Sequence, residues 1–87
     1  DQLSTMFSVR GKIRFRSGNL DGAIEDYDEA IRLEPTFPDY YASRGRIRSA
    51  RGDPRGARAD WVRFLEIAPP DHADAGSVRN QLQALGD

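Results

Sequence analysis

The strongest constraint on the fold is a pattern that occurs twice in the chain, at the offset that separates Gly22 from Gly56. Residues 22–35 read GAIEDYDEAIRLEP, and residues 56–69 read GARADWVRFLEIAP. At this offset identical residues are paired along most of the chain: Arg10 with Arg44, Gly11 with Gly45, Ile13 with Ile47, Arg14 with Arg48, Gly18 with Gly52, Gly22 with Gly56, Ala23 with Ala57, Asp26 with Asp60, and Pro35 with Pro69. Chance would give only about two or three identities over one such period. The chain therefore contains a duplicated structural unit.

Each copy of the pattern is predicted to contain two helices. Ala23, Tyr27 and Ile31 recur at i, i+4 and i+8, which places them on one face of a helix, and the second copy keeps this spacing. Gly18 is typical of the residue just after a helix, and Asn19 is a typical N-cap of the next one. The equivalent residues in the second copy predict the same turn. Each unit is thus expected to be a pair of antiparallel helices of about 14 residues.

The duplicated pattern resembles the tetratricopeptide repeat (TPR) family, in which helix-turn-helix units recur about every 34 residues. The resemblance implies an all-α, right-handed superhelical stack of about five helices. Within a single domain over residues 1–87, it implies one unit at 4–37, a second at 38–71 and a C-terminal capping helix at 72–87. The residues that carry the family signature are Gly11, Ala23, Tyr27, Pro35, Gly45, Ala57, Trp61 and Pro69.

The sequence departs from the usual TPR pattern at a few positions. Arg14 and Arg48 stand where the family more often has Tyr, and Phe64 stands where it prefers Ala. We expect these residues to affect local packing and not the fold. We also expect Gly11 and Gly45 to lie where a first helix closely approaches the small alanine of its partner helix.

Charge is unevenly distributed, although the formal net charge is only -1. Residues 21–34 carry six acids and one base, whereas residues 44–58 carry six bases and one acid. Either these neighbouring segments compensate each other, or the arginines face a ligand. Arg10 and Asp26 recur together in the second copy, which predicts an ion pair between the two helices of a unit or across the boundary between units.

Two local expectations concern the ends of helices. Thr36 with Asp39 three residues later predicts a capping box at the start of the third helix. His72 is expected to be a solvated histidine in a loop or first helical turn. It is not predicted as a metal ligand, because one histidine with mobile carboxylates is poor metal geometry.

The resemblance also implies a function, since in this family the first helices line a concave groove that binds peptides. We therefore predict a protein-protein interaction module or scaffold that binds a protein or peptide without catalysis. The groove is mildly basic and suits an acidic or C-terminal peptide. The groove residues implied by the resemblance are Ser8, Lys12, Phe15, Arg16, Arg46, Ser49 and Asn80.

Several other classes of function find no support in the sequence. There is no cysteine, and no glycine-rich phosphate loop, nucleophile elbow or Cys/His cluster is present, so we predict no catalytic residues, no cofactor and no metal. No apolar run is long enough to predict a membrane helix. Localisation is not determined and is taken as cytoplasmic by default. The chain begins with Asp1 and not Met, so we expect the native N-terminus to be missing.

Two alternative functions stay open at this stage. The outer face of the first helix carries Leu3, Met6 and Phe7, which would be covered either by upstream chain or by a second copy in a homodimer. Helical repeats of similar length also bind RNA, and the arginines within 44–58 could contact phosphates. The acidic segment beside them and the net charge make nucleic acid the weaker alternative.

Overall fold

The computed structural model describes residues 1–86, which form five α-helices and no strand. The helices are α1 (Gln2–Arg16), α2 (Leu20–Leu33), α3 (Pro38–Ala50), α4 (Pro54–Ile67) and α5 (Ala75–Leu85). Each helix packs against the next one along the chain. Because the turns within each pair are short, α1 with α2 and α3 with α4 form antiparallel hairpins. The predicted all-α stack of helical hairpins is confirmed.

The turns inside the two hairpins are built in the same way. Gly18 and Gly52 have φ of 88° and 87°, in the left-handed region that favours glycine. The side chain of Asn19 then accepts a hydrogen bond from the amide of Gly22 at 3.0 Å, and Asp53 caps α4 equivalently. These N-caps explain why the second helix starts only two residues after each glycine.

The start of α3 differs from the prediction, since no capping box forms there. The N-cap residue is Phe37, which makes no side-chain capping bond, and the helix begins at Pro38. Proline has no amide proton to satisfy at the first helical position, so less capping is needed. The carboxylate of Asp39 is instead bonded to His72. The expectation for Thr36 was therefore wrong.

The capping helix is also shorter than the predicted segment 72–87. Residues 72–74 form a turn in which the amide of Ala75 donates to the carbonyl of His72 at 3.0 Å. The helix begins only at Ala75. Asp87, the last residue of the predicted segment, lies outside the described residues.

Two clusters of buried side chains make up the core. Ile31 packs against both clusters, so the two hairpins share one interior. Ala23 and Ala57 are both 0% exposed, at the centre of their hairpins. The buried members of the first cluster are Ala23, Tyr27, Ala30, Tyr40 and Ile47, and those of the second are Tyr41, Ala57, Trp61, Phe64, Ala75 and Val78.

The glycines of the first helices lie against buried aromatic rings of their partner helices. A Cβ added at Gly11 would lie 2.8 Å from Cε2 of Tyr27, and one at Gly45 would lie 2.6 Å from Nε1 of Trp61. Both rings are buried and cannot move aside without disturbing the core. Glycine is thus required at these two positions because the aromatic rings occupy the space of a side chain.

Phe64 occupies the place of Ala30 in the second hairpin and is completely buried. Ala30 shares its core cluster with Tyr40, one of two large tyrosines of α3. Phe64 instead shares its cluster with Ala75 of α5, the residue that takes the place of Tyr41 one repeat later. The second cluster thus accommodates the large Phe64 together with a small residue, Ala75, of the next helix.

A buried carboxylate bonded to arginines connects the two helices of each hairpin. Asp26 is 1% exposed, and its oxygens accept bonds from Nε and Nη2 of Arg10, the shortest at 2.7 Å. Arg14 lies 3.4 Å from the same carboxylate. Asp60 is bonded in the same way, including Arg48 at 3.0 Å. The predicted ion pairs are confirmed within each unit, and Arg14 and Arg48 add a second guanidinium to each carboxylate.

Substituting Gly45 with Ala tests the close approach to Trp61. We expect a loss of about 1 to 3 kcal/mol in the free energy of unfolding from overpacking, partly offset by the better helix propensity of alanine. Gly76→Ala is the matched control, because a Cβ there meets nothing within 4 Å. Urea denaturation measures both variants. Equal stability of the two variants would contradict the packing described here.

Substituting Asp60 with Asn tests the buried carboxylate. The change leaves the guanidinium groups of Arg44 and Arg48 without their buried countercharge, so we expect a loss of about 3 to 5 kcal/mol. Asp28→Asn is the control, since Asp28 is also bonded to Arg44 but is half exposed, and its loss should cost at most about 1 kcal/mol. A thermal melt that ranks the two variants in the opposite order would refute this interpretation.

Candidate functional site

Three neighbouring cavities follow one side of the helical stack, and together we call them the groove. The first, of about 250 Å³, lies between α1 and α3, and the second, of about 260 Å³, adjoins it. Lys12, Tyr27 and Ser43 line both of these cavities. The third, of about 130 Å³, lies between α3 and α5 and shares Ser43 and Arg46 with the second. The shared residues make the groove continuous from α1 to α5.

The structure places most of the predicted groove residues in these cavities. Ser49 and Asn80 are exposed but line none of the three. On α5 the lining residues are Ser77, Val78 and Gln81, and Asn80 is rotated by about 100° from Gln81 around the helix. The predicted residues that line the groove are Ser8, Lys12, Phe15, Arg16 and Arg46.

The second cavity contains three cationic side chains that have no ion-pair partner among residues 1–86: Lys12, Arg16 and Arg46. The guanidinium carbon of Arg46 lies 5.9 Å from the centre of the Phe15 ring, within the range of a cation–π contact. This contact connects α1 to α3 across the cavity. The lining therefore combines an apolar surface with positive charge that the described part of the chain does not neutralise.

Most of the basic segment 44–58 is engaged within the protein, in contrast to the groove cations. Arg44 is bonded to Asp28 at 2.8 Å, and Arg51 is paired with Asp21, both on α2. Burial alone would lower the pKa of Arg44, but its bonds to Asp60 and Asp28 outweigh burial and raise that pKa. The acids of α2 thus compensate arginines of α3 and of the turn after it, which was one of the two explanations for the uneven charge.

Sequence reasoning assigned Tyr27 only to the core, yet this residue lines two of the cavities. Burial raises the pKa of its phenol, so the group stays neutral near pH 7. A tyrosine has an apolar ring and a polar tip, and that dual character was the signal that could have predicted its place at the floor of the groove.

His72 is not the solvated histidine that was predicted. Its Nε2 lies 2.6 Å from a carboxylate oxygen of Asp39, and its ring packs edge-on against Phe64 with centroids 4.9 Å apart. Its side chain is only 18% exposed. These contacts connect the start of α3 to the turn before α5. The error arose because the sequence does not show that this turn folds back onto α3.

Asp39, His72 and Asp74 form the one group among the described residues with the composition of a metal site. The amide of Asp74 donates to Nδ1 of His72 at 3.0 Å, so Nδ1 must be unprotonated. The proton therefore resides on Nε2 and is donated to Asp39. A metal on Nε2 would require the proton to move to Nδ1, where it would face the amide of Asp74. The hydrogen bonds thus favour a structural link over a metal site.

Adding zinc tests this interpretation. We expect equimolar ZnCl₂ to leave the thermal unfolding midpoint unchanged, because a metal ion would have to break both hydrogen bonds of His72. The same titration of His72→Ala controls for weak binding elsewhere on the surface. A rise of the midpoint with zinc in the unmodified chain alone would show that the three residues do bind metal.

No helix within residues 1–86 is both long and apolar enough to cross a membrane.

Comparison with known proteins supplies independent information. A family model described as "TPR repeat" matches residues 11–52, which includes the C-terminal part of α1, all of α2 and α3, and the turns between them. Over 67 residues the chain is 31% identical to Protein O-mannosyl-transferase TMTC1 of Mus musculus. That alignment covers 77% of this chain but only 7% of the relative. The similarity therefore concerns a small part of that protein.

Proposed function

Because the chain belongs to the tetratricopeptide repeat family, we propose that it is a protein-interaction module whose groove binds an acidic peptide segment of a partner protein. TPR units generally mediate contacts between proteins. In this proposal the groove is the binding site, the ligand is acidic and the module carries out no catalysis.

The observation that carries the proposal is the set of unpaired cations around Phe15. Lys12 and Arg16 lie one turn apart on α1, and Arg46 faces them from α3 across the same cavity. Carboxylates of an extended peptide could bond to these groups, while an apolar side chain would pack against Phe15. Charge-assisted bonds of this kind are stronger than neutral ones, so we expect acidic sequences to be favoured over neutral ones.

The name of the similar mouse protein describes a transferase, but its resemblance to this chain gives no reason to propose catalysis here. The chain spans only 7% of that protein. In the groove, Asp39 is bonded to His72, and the second cavity is lined by three cations and no acid. We therefore propose binding without chemistry.

Peptide display tests the proposal. Selection from a random peptide library on the immobilised chain should enrich sequences rich in Asp and Glu. Binding of a selected peptide, followed by fluorescence anisotropy, should weaken about 10-fold or more in Arg46→Gln and in Phe15→Ala. Arg55→Gln is the matched control, because Arg55 is an exposed arginine that lines none of the groove cavities.

Enrichment of neutral peptides, or equal weakening by Arg55→Gln, would exclude the groove as an acidic-peptide site. A titration with single-stranded RNA tests the nucleic-acid alternative, because phosphate-driven binding falls steeply between about 50 and 200 mM salt. Tight, salt-sensitive RNA binding would replace the proposed function.

A further inference from the structure

The third cavity of the groove is the equivalent, one repeat later, of the first cavity. Four lining residues of the first cavity, Lys12, Tyr27, Tyr40 and Ser43, correspond to Arg46, Trp61, Asp74 and Ser77 in the third. The hydroxyl of Tyr40 is engaged with Ser4, whereas Asp74 brings a carboxylate to the equivalent place. Trp61 in turn brings an indole where Tyr27 has a phenol. A ligand therefore meets a different chemistry in each of the two cavities.

Trp61 contributes a hydrogen-bond donor to the third cavity. The residue is 3% exposed, and its indole N–H has no acceptor among residues 1–86. In the same part of the chain every fully buried polar atom of a side chain has a partner, so this N–H must keep contact with the surface. Of the three groove cavities only the third is lined by Trp61. Because a largely buried indole N–H normally has an acceptor, this donor is available for a ligand.

Asp74 contributes an acceptor that the fold does not use. It is the N-cap residue of α5, yet its side chain makes no capping bond, whereas the side chains of Asn19 and Asp53 cap their helices. Only the backbone amide of Asp74 is bonded, to His72. Within residues 1–86 its carboxylate forms no ion pair, not even with Arg46 of the same cavity. The carboxylate thus remains exposed and unpaired beside the cavity.

A ligand group in the third cavity must satisfy these donors and this acceptor together. A carboxylate would accept from Trp61 and Arg46, but it would be repelled by Asp74. That repulsion is reinforced because a carboxylate oxygen of Asp39 lies within 4.8 Å of one of Asp74. An ammonium or guanidinium group would pair with Asp74, but it offers no acceptor to Trp61 and is repelled by Arg46. Neither charged group fits the cavity.

A primary amide fits both sides, since its carbonyl oxygen accepts and its NH₂ group donates. It is also neutral, so it is repelled neither by Arg46 nor by Asp74. The cavity has a volume of about 130 Å³, half that of the second cavity, and so has room for one short side chain.

We propose that the third cavity binds the side-chain amide of an Asn or Gln residue of the partner peptide. The indole of Trp61 and the guanidinium of Arg46 donate to the amide oxygen, and Asp74 accepts from the amide NH₂ group. The inference rests on the proposed function, because the second cavity holds the acidic residues of the same peptide. Ser43 and Arg46 line both cavities, so the amide residue lies within about three residues of an acidic one in an extended chain.

The peptide library described above also tests this inference. Selected sequences should be enriched in Asn or Gln close to Asp or Glu. In a selected peptide, replacing that Gln by Glu, or that Asn by Asp, adds a charge and leaves the shape nearly unchanged. We expect the affinity to fall about 10-fold or more, measured by fluorescence anisotropy.

Asp74→Ala should reduce this preference for the amide peptide to about 3-fold or less, because the acceptor for the amide and the repulsion of the carboxylate are lost together. Asp71→Ala is the matched control, since Asp71 is an exposed acid of the same turn that lines none of the groove cavities. It removes the same charge and should leave the preference unchanged. The thermal midpoint of Asp74→Ala should equal that of the unmodified chain, because the side chain does not cap α5.

A spectroscopic readout reports on the indole directly. Trp61 is the single Trp of the chain, so its N–H gives one indole signal in a nitrogen–proton NMR spectrum. This signal should move downfield on addition of the amide peptide, and its proton should exchange more slowly with heavy water, because the N–H becomes hydrogen-bonded.

The results distinguish this inference from the function on which it rests. Selected peptides that depend on Arg46 but share no Asn or Gln would overturn the inference and leave the proposed function intact. An equal preference in Asp74→Ala and Asp71→Ala, or an indole signal that the peptide does not move, would do the same. A groove that binds no peptide would overturn both.

Discussion

Each hairpin depends on one buried carboxylate that two arginines of the facing helix bind. A carboxylate taken out of water costs several kcal/mol unless countercharges satisfy it, so Asp26 and Asp60 are tolerated only where the guanidinium groups reach them. This requirement fixes how far the first helix is shifted along the second. At that position Gly11 and Gly45 face the buried rings of Tyr27 and Trp61. Tight packing and ion pairing therefore specify the same arrangement.

The groove follows from the same alignment. The aspartates of α2 and α4 hold α1 and α3 through their arginines. Lys12, Arg16 and Arg46 then line the groove and form no ion pair with an acid of α2. The acids of α2 are used by Arg44 and Arg51. The charges of the chain are thus separated in space: the acids of α2 pair with arginines, whereas the second cavity of the groove is lined by three cations and no acid.

The helices, their turns and the ion pairs could be predicted from the sequence because they repeat at a fixed offset and depend on neighbouring residues. The start of α5 and the contacts of His72 could not, since they depend on how a single unrepeated turn folds back onto α3. The groove was predicted for α1 and less well for α5, where a shift in the start of the helix changes which side chains face inward. Asn80 illustrates the last point, because Ser77, Val78 and Gln81 line the third cavity and Asn80 does not.

The second copy has the large Phe64 where the first has the small Ala30, and this difference affects the order in which the helices can pack. A chain built from near-identical hairpins risks joining its helices in the wrong order, either within one molecule or between two nascent chains. If α3 took the place of α5 on α4, the bulky side chain of Tyr41 would meet Phe64 where Ala75 now lies, and the interior would be overfilled. The small residue at the junction of α4 with α5 therefore disfavours this wrong order.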